Sequence, residues 1–420
     1  MVGHYETVID ALCTHERDGQ RIPAKVIAST ATICRAKEQV HNLYGRPVFL
    51  FPPQGLKAGE SFFAHEDATA SGRLYVGVFA TALSSHVTAQ IRVMAALLQS
   101  VKSLNGRTPE EIDPYWTLMS YFNSLRELGH AATLIRADIT DYLNAMWDRL
   151  EIRPDGIHDP RRFINADREL TSRIQSSEIP EVLQQLFVRW DGTRLSQPID
   201  VCLATNMIQV GLDVPRLGLM TVVGQPKTTS EYIQATSRVG RSHPGLVVTV
   251  YNPSKPRDRS HFEHFRSYHE TIYRWVEPTS VTPFAVPVRD RALHALVVTL
   301  VRYFGGDAAR TWPQPWKPVE VLVPWVTELI AARVSAIDPD EEDATRRQLK
   351  EIFSDWRRNP PPRYGDFKPP SADTPLMYPA GTQKLAEWSE PTYQTPSSMR
   401  NVDSTCDARV LPRFPQPEED

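Results

Sequence analysis

Apolar positions along this chain follow two patterns that alternate. Short runs rich in β-branched residues, LYVGVFA at 74–80, WTLMSYF at 116–122, VCLAT at 201–205, GLMTVVGQ at 218–225 and LVVTVYNP at 246–253, have the length and composition of buried parallel strands. KVIAST at 25–30 reads the same way and runs into ATICRAKEQVHNLYG, whose content and spacing predict a helix. Between the runs lie amphipathic patterns. SHVTAQIRVMAALLQSV predicts a helix over 85–101, and a second begins near Pro180 with an apolar stripe of Val182, Leu183, Leu186 and Phe187. A third, SEYIQATSRVGRS, is expected to carry Arg238 and Arg241 on one helix face. Strands alternating with helices predict an α/β fold, a parallel sheet with helices on both faces, whose ligands bind at the carboxyl ends of the strands.

The rest of the chain is read in the same way. Residues 1–24 predict an amphipathic helix (Val8, Ile9, Leu12, Cys13) and a polar turn at Asp18-Gly19-Gln20. A polar connector, KSLNGRTPEEIDP, places a domain boundary near residue 108. HFEHFRSYHETIYRWVEP, residues 291–304 and residues 318–337 predict helices, whereas NPPPRYGDFKPPSADTP does not read as a compact element. LMYPAG and SSMRNVDSTCDARVL mix apolar and charged residues and are expected to dock. The expected division is 1–108, 109–257, 258–357 and a Pro-rich tail at 358–420.

Composition narrows the class. With 420 residues, 41% hydrophobic and 23% charged, the chain has the balance of a soluble globular protein of two or three domains. A formal net charge of −3 excludes a global basic signature, so nucleic-acid contact requires a local patch. Cys13, Cys34, Cys202 and Cys406 have no metal-ligand spacing and read as free thiols of a reducing cytoplasm, with no metal site expected. No secretory leader and no membrane-spanning run is read in the sequence.

Four segments taken in order, STAT at 29–32, YFNSLREL at 121–128, ATNMIQVGLDVPRL at 204–217 and YIQATSRVGRS at 232–242, resemble motifs III, IV, V and VI of superfamily 2 helicases. The pair ATxMxxxGLDxP and QxxSRxGR is the specific part, and the resemblance covers roughly residues 25–250. MVGHYE, HFRSYHETIYRWVEPTSVTPF and SSMRNVD resemble the large helicase of DISARM-type phage-defence systems. The resemblance implies a RecA-like sheet (the helicase C-terminal domain), part of a first RecA-like domain before it and a helical, Pro-rich extension after it. It further implies ATP with Mg bound between two such domains and a DNA strand gripped across both. Arg241 would be the arginine finger and Arg238 its support. Gln234, Gly211 and Asp213 would lie at the ATP site; Thr205, Asn206, Asn123 and Ser124 would meet nucleic-acid phosphates. Ser29, Thr30 and Thr32 would couple the domains. Guanidinium suits the finger because it is planar, always charged and spreads its donors over phosphoryl oxygens. The same residue types also make helix caps and Asx turns, which is the structural reading of Ser29, Thr30, Thr32, Asn123, Ser124 and Asp213.

Two further features set the expectation. The dipeptide Gly-Lys does not occur, so there is no GxxxxGK[ST] loop, and no DExH box lies upstream of STAT. Asp340-Glu341-Glu342-Asp343 follows motif VI and reads as a solvated helix start. The chain is therefore expected to be the C-terminal half of a helicase or translocase, hydrolysing ATP only with a polypeptide that supplies the Walker A and DExH motifs. The alternatives are a non-catalytic nucleic-acid-binding scaffold subunit or a truncated helicase fragment. The segment Phe262–Trp275, with His261, His264, His269, Arg266 and Arg274, reads either as a stacking platform for single strands or as core.

Overall fold

A computed structural model describes residues 1–396 apart from 31, 54, 58–59, 66, 68, 71, 84, 105, 150–160, 176, 194–195, 207–212, 315, 366–372 and 381–383. The chain forms two compact units, one made of Thr30–Cys34 and Pro52–Pro278, the other of Met1–Ser29, Arg35–Phe51 and the chain from Thr279.

The first of these is built on six strands, β1 (Arg73–Phe79), β2 (Leu118–Phe122), β3 (Asp167–Leu170), β4 (Val201–Ala204), β5 (Leu219–Val223) and β6 (Gly245–Tyr251). Their order is β1-β6-β5-β2-β4-β3, and every pairing is parallel. All residues of β2, β4 and β5 are buried, which is why these runs are apolar but for Ser120 and Thr221, whose hydroxyls bond each other at 2.7 Å. Alternation along each strand splits them between two cores. Met119, Tyr121, Cys202, Ala204, Met220 and Val222 pack on one face with Leu186 and Tyr232. Leu118, Phe122, Val201, Leu203, Leu219 and Val223 pack on the other with Leu98 and Leu128. The helices that supply these partners, Ile179–Leu186 and Thr229–Thr236 on one side, His86–Lys102 and Leu125–Leu134 on the other, complete the expected α/β architecture.

Several expectations change. Residues 73–79, expected on the far side of a boundary near 108, pair with β6 through seven consecutive positions and belong to this sheet. The edge strand β3 has the sequence DREL, whose charged residues hide it from a hydrophobicity reading and suit an open sheet edge. KVIAST forms no strand; it finds no sheet partner, and Val26 and Ile27 stay exposed.

Two buried ion pairs anchor the amino end of the sheet. Arg162 meets Asp200 at 2.8 Å, and Arg216 meets Asp113 at 3.0 Å. Asp200 also accepts the backbone N–H groups of Asn165 (2.7 Å) and Ala166 (3.0 Å), while the Arg162 guanidinium lies 3.5 Å from the Trp116 ring centroid. Burial pulls the Arg162 guanidinium down to about 10, with Asp200 opposing the shift, so it stays charged at neutral pH.

The second unit is a helical body. Val2–Cys13, Val286–Phe304, Trp316–Ile337 and Glu342–Arg358 pack around Leu293, Val297, Ile330, Val334 and Trp356. Asp340–Asp343 straddles a 3₁₀ turn and the start of the last helix, and Glu341 pairs with the buried Arg289, so that stretch is less solvated than its composition implies. The described residues after 358 form more regular structure than expected. Arg363–Gly365, Pro375–Pro379 and Tyr393–Thr395 form a small parallel sheet with Pro375–Pro379 central. Tyr364 and Leu376 enter the helical core, and the Tyr364 hydroxyl donates to the Ala309 carbonyl at 2.6 Å. The stretch SSMRNVDSTCDARVL lies outside the described residues. No helix among the described residues is long and apolar enough to cross a membrane.

His4 and His294 are both buried in this unit, and burial pulls each down to about 4. In the unfolded chain both titrate near 6.5, so below that pH the unfolded state takes up protons the folded state refuses. Their contribution, about 3 kcal/mol each at this displacement, is complete above pH 6.5 and is lost as pH falls towards 4. Urea midpoints should therefore drop between pH 6.5 and 5, with a shallower drop for His294→Gln; a midpoint that ignores pH over that window refutes the assignment.

Gly240 (φ +70°) lies so close to the start of β6 that a Cβ would come 2.8 Å from the Gly245 Cα. Gly240→Ala should cost about 2–3 kcal/mol in denaturant unfolding. Stability within experimental error of the parent would contradict this packing.

Candidate functional site

The carboxyl ends of β2 and β4, where open α/β sheets bind ligands, carry Asn123, Ser124, Thr205 and Asn206, whereas the turn bearing Arg238 and Arg241 lies by the amino ends of β5 and β6. Asn123 follows β2 directly. Its Nδ2 donates to the carbonyls of Val223 (3.1 Å), Gly224 (3.2 Å) and Gln225 (3.3 Å), which ties β2 to β5. The hydroxyl of Ser124 accepts the Glu127 N–H at 3.2 Å and caps the helix Leu125–Leu134. Thr205, after β4, is buried with its N–H directed to the Leu170 carbonyl (3.4 Å), while Asn206 is exposed. Gly211 lies outside the described residues.

The helix Thr229–Thr236 begins with a capping box in which Thr228 and Glu231 satisfy each other's backbone N–H groups. Glu277 adds to it, accepting the Thr229 N–H through both carboxylate oxygens (3.0 and 2.9 Å) and its hydroxyl (3.1 Å). Near its end, Gln234 Nε2 donates to the Thr32 hydroxyl at 2.9 Å, so the STAT segment meets the motif VI helix. Thr30 accepts the Thr32 N–H at 3.5 Å, and Ser29 belongs to the other compact unit.

The two arginines are not on a helix face. The helix stops at Thr236 with Ser237 as its cap, and Arg238 and Arg241 lie in the turn beyond it. That turn is set by Gly240, whose left-handed backbone ends the helical path and whose N–H donates to the Leu217 carbonyl at 2.8 Å. Arg241 pairs with Asp213 through Nη1 and donates from Nε to the Ser237 carbonyl at 3.2 Å. Partial burial and repulsion from Arg241 both lower Arg238 from the usual arginine range, with Asp213 opposing them.

Three contributors escaped the sequence reading. Asp258 is buried and accepts the N–H groups of Gln225 (3.1 Å) and Asn252 (2.8 Å), clasping the ends of β5 and β6. Its surroundings, PRDRS, offer no periodic signal. Glu277 is equally silent in sequence. Arg216 follows Pro215 inside motif V, and its position there was the available clue.

The segment Phe262–Trp275 is divided: Phe262, Phe265, Tyr268 and His269 pack inward, whereas Tyr273 and Trp275 are exposed, as are Arg266 and Arg274. It breaks into Pro256–Glu263, Phe265–Glu270 and a 3₁₀ turn at Ile272–Trp275. Phe262 stacks on Phe79 (4.8 Å), Phe265 lies 4.1 Å from His269, and His269 Nε2 reaches the Tyr232 hydroxyl at 3.0 Å. Burial lowers both His261 and His269. Among the described residues no group of His, Cys, Asp and Glu is placed to hold a metal ion.

Comparison with known proteins places the chain among relatives. The helicase conserved C-terminal domain family matches residues 169–243. The DISARM protein DrmA of Bacillus paralicheniformis is 42% identical over 360 residues, which cover 84% of this chain and 31% of that protein. The chain thus spans less than a third of its relative's length. Among solved structures, the DUF1998 helicase MrfA bound to DNA and AMPPNP aligns over 71% of this chain and 34% of its own, with 17% identity and a TM-score of 0.43. Mycobacterium smegmatis helicase Lhr bound to ssDNA and AMP-PNP aligns over 74% and 32%, with 16% identity and a TM-score of 0.41. The chain is therefore a helicase-family protein, carrying the helicase conserved C-terminal domain and related to the DISARM protein DrmA.

Proposed function

We propose that this chain supplies the C-terminal half of an ATP-dependent superfamily 2 helicase or translocase that acts on DNA in phage defence in the cytoplasm. The observation that carries the reading is the turn after the helix Thr229–Thr236, which sets Arg238 and Arg241 beside Asp213. In this proposal Arg241 is the arginine finger. Asp213 holds it until a triphosphate with Mg arrives, and the guanidinium then exchanges one anion for another. Arg238 supports the same phosphates. Gln234, bonded to Thr32, transmits the nucleotide state to the STAT segment, with Ser29 and Thr30 beside it.

Asn206, exposed at the end of β4, is the direct phosphate contact among the nucleic-acid residues. Asn123 and Ser124 act chiefly by shaping the edge, since their side chains already bond the backbone. Thr205 is buried and positions Asn206. Such contacts read no base identity, so DNA binding should be independent of sequence.

These 420 residues contain no Gly-Lys pair, so the loop that cradles the β- and γ-phosphates must be encoded in other sequence. Purified chain should show no DNA-stimulated ATPase until a polypeptide carrying Walker A and DExH motifs is added; robust hydrolysis by the chain alone would overturn the proposal. In the reconstituted pair, Arg241→Ala should lower the hydrolysis rate by about 10³–10⁵ while DNA affinity stays constant. A rate that survives the substitution would favour the second reading, a DNA-binding scaffold in which the Asp213–Arg241 pair only fastens a turn.

A further inference from the structure

The helical unit contains a cavity that the motor reading does not use. It is an open groove of about 330 Å³ between the helices Val2–Cys13 and Trp316–Ile337, bordered by the hairpin His15–Ile22 and the turn at Gly45-Arg46. That is the small end of the range for sites that bind small molecules. Its lining holds Arg21, Arg46 and Arg333 against the single carboxylate of Asp10. We propose that this pocket binds a phosphate group.

Charge is the first argument. Three guanidinium groups line the pocket against one carboxylate; Glu6 acts on Arg333 from outside the lining, and Glu16 is the cross-strand neighbour of Arg21. Preorganisation is the second. Arg46 donates to the Ala24 carbonyl at 2.6 Å and to Asp10, and Arg333 donates to the Tyr44 carbonyl and lies 3.4 Å from the second Asp10 oxygen. Asp10 thus shows how an oxyanion sits between these two planar groups, each of which has five N–H donors. The third is backbone design. Gly45 is left-handed (φ +62°), and a Cβ there would fall 2.9 Å from Arg333 Nη1, so a glycine is what lets that guanidinium lie against the turn. Ala332 and Ala336 keep the floor shallow, leaving room above the arginines.

Arg21 is the arginine to test first. It is exposed on the hairpin strand Gln20–Ile22, so replacing it leaves the core intact. The phosphate could belong to a nucleic-acid backbone or to a free phosphate compound, and two probes separate these. Calorimetric titration of the full chain with inorganic phosphate reads the pocket itself; anisotropy of a labelled oligothymidylate reads a backbone phosphate.

Inorganic phosphate should bind in either case; oligothymidylate binding that Arg21→Ser weakens marks a strand as the source, and oligothymidylate binding that it leaves unchanged marks a free phosphate compound. In either case Arg21→Ser should weaken the responding probe about tenfold, Arg21→Lys should lose less, and Gly45→Ala should weaken it by displacing Arg333. For the strand, the salt slope should also fall by about one. Absence of phosphate binding by the parent protein, or binding that Arg21→Ser and Gly45→Ala both leave unchanged while circular dichroism shows them folded, would overturn the proposal. Neither result depends on ATP hydrolysis, so the test stands apart from the motor reading.

Discussion

The buried guanidinium of Arg216 is the fastening on which the rest of the site depends. It donates to the Leu186 carbonyl (2.7 Å), the Asp113 carbonyl (3.2 Å), the Asp113 carboxylate (3.0 Å) and the Thr117 hydroxyl (2.7 Å). One side chain therefore joins the helix Ile179–Leu186, the helix Pro109–Trp116 and the entrance to β2. Its neighbours extend the clamp: the Leu217 carbonyl receives the Gly240 N–H, and the Gly218 N–H reaches the Pro114 carbonyl at 2.6 Å. The loop bearing Asp213 and the turn bearing Arg241 are held at the same point. A buried charge pair of this kind contributes more to definition than to net stability, because desolvation offsets most of the attraction. Here the definition lies where two motifs must keep a fixed separation.

From that anchored end the sheet runs to an edge whose polar groups are largely engaged. Asn123 bonds three carbonyls, Ser124 and Thr228 cap helices, and Asp258 clasps two strand ends. A rigid edge of this sort costs little to reorganise when a ligand arrives. The arginines differ from it. They stand on a turn at the opposite end of the sheet and are partly exposed, and Arg241 is paired with the carboxylate of Asp213.

The helical unit makes a complementary point about proline. Composition alone predicts little structure after residue 358, yet Tyr364 and Leu376 each find an apolar site, and three short parallel strands form beside the helices. Proline restricts the unfolded chain and tolerates short, edge-like strands, so a segment with a few well-spaced apolar anchors can dock despite it.

What the sequence determined by itself is whatever depends on local composition. β2, β4, β5 and β6 were legible because burial on both faces makes most positions apolar, and the helices were legible from their stripes. The motif pair in residues 204–242 was legible because glycine, aspartate and arginine rarely fall at those set spacings by chance. Tertiary structure decided the rest. It placed β1 beside β6, made a strand of DREL at an edge where charge is tolerated, and left KVIAST unpaired. It ended the motif VI helix before its arginines and gave Arg241 a partner 28 residues away. The reason is the same in each case: strand pairing, turn closure and charge partnering join residues distant in sequence, and no local pattern encodes which distant group will be there.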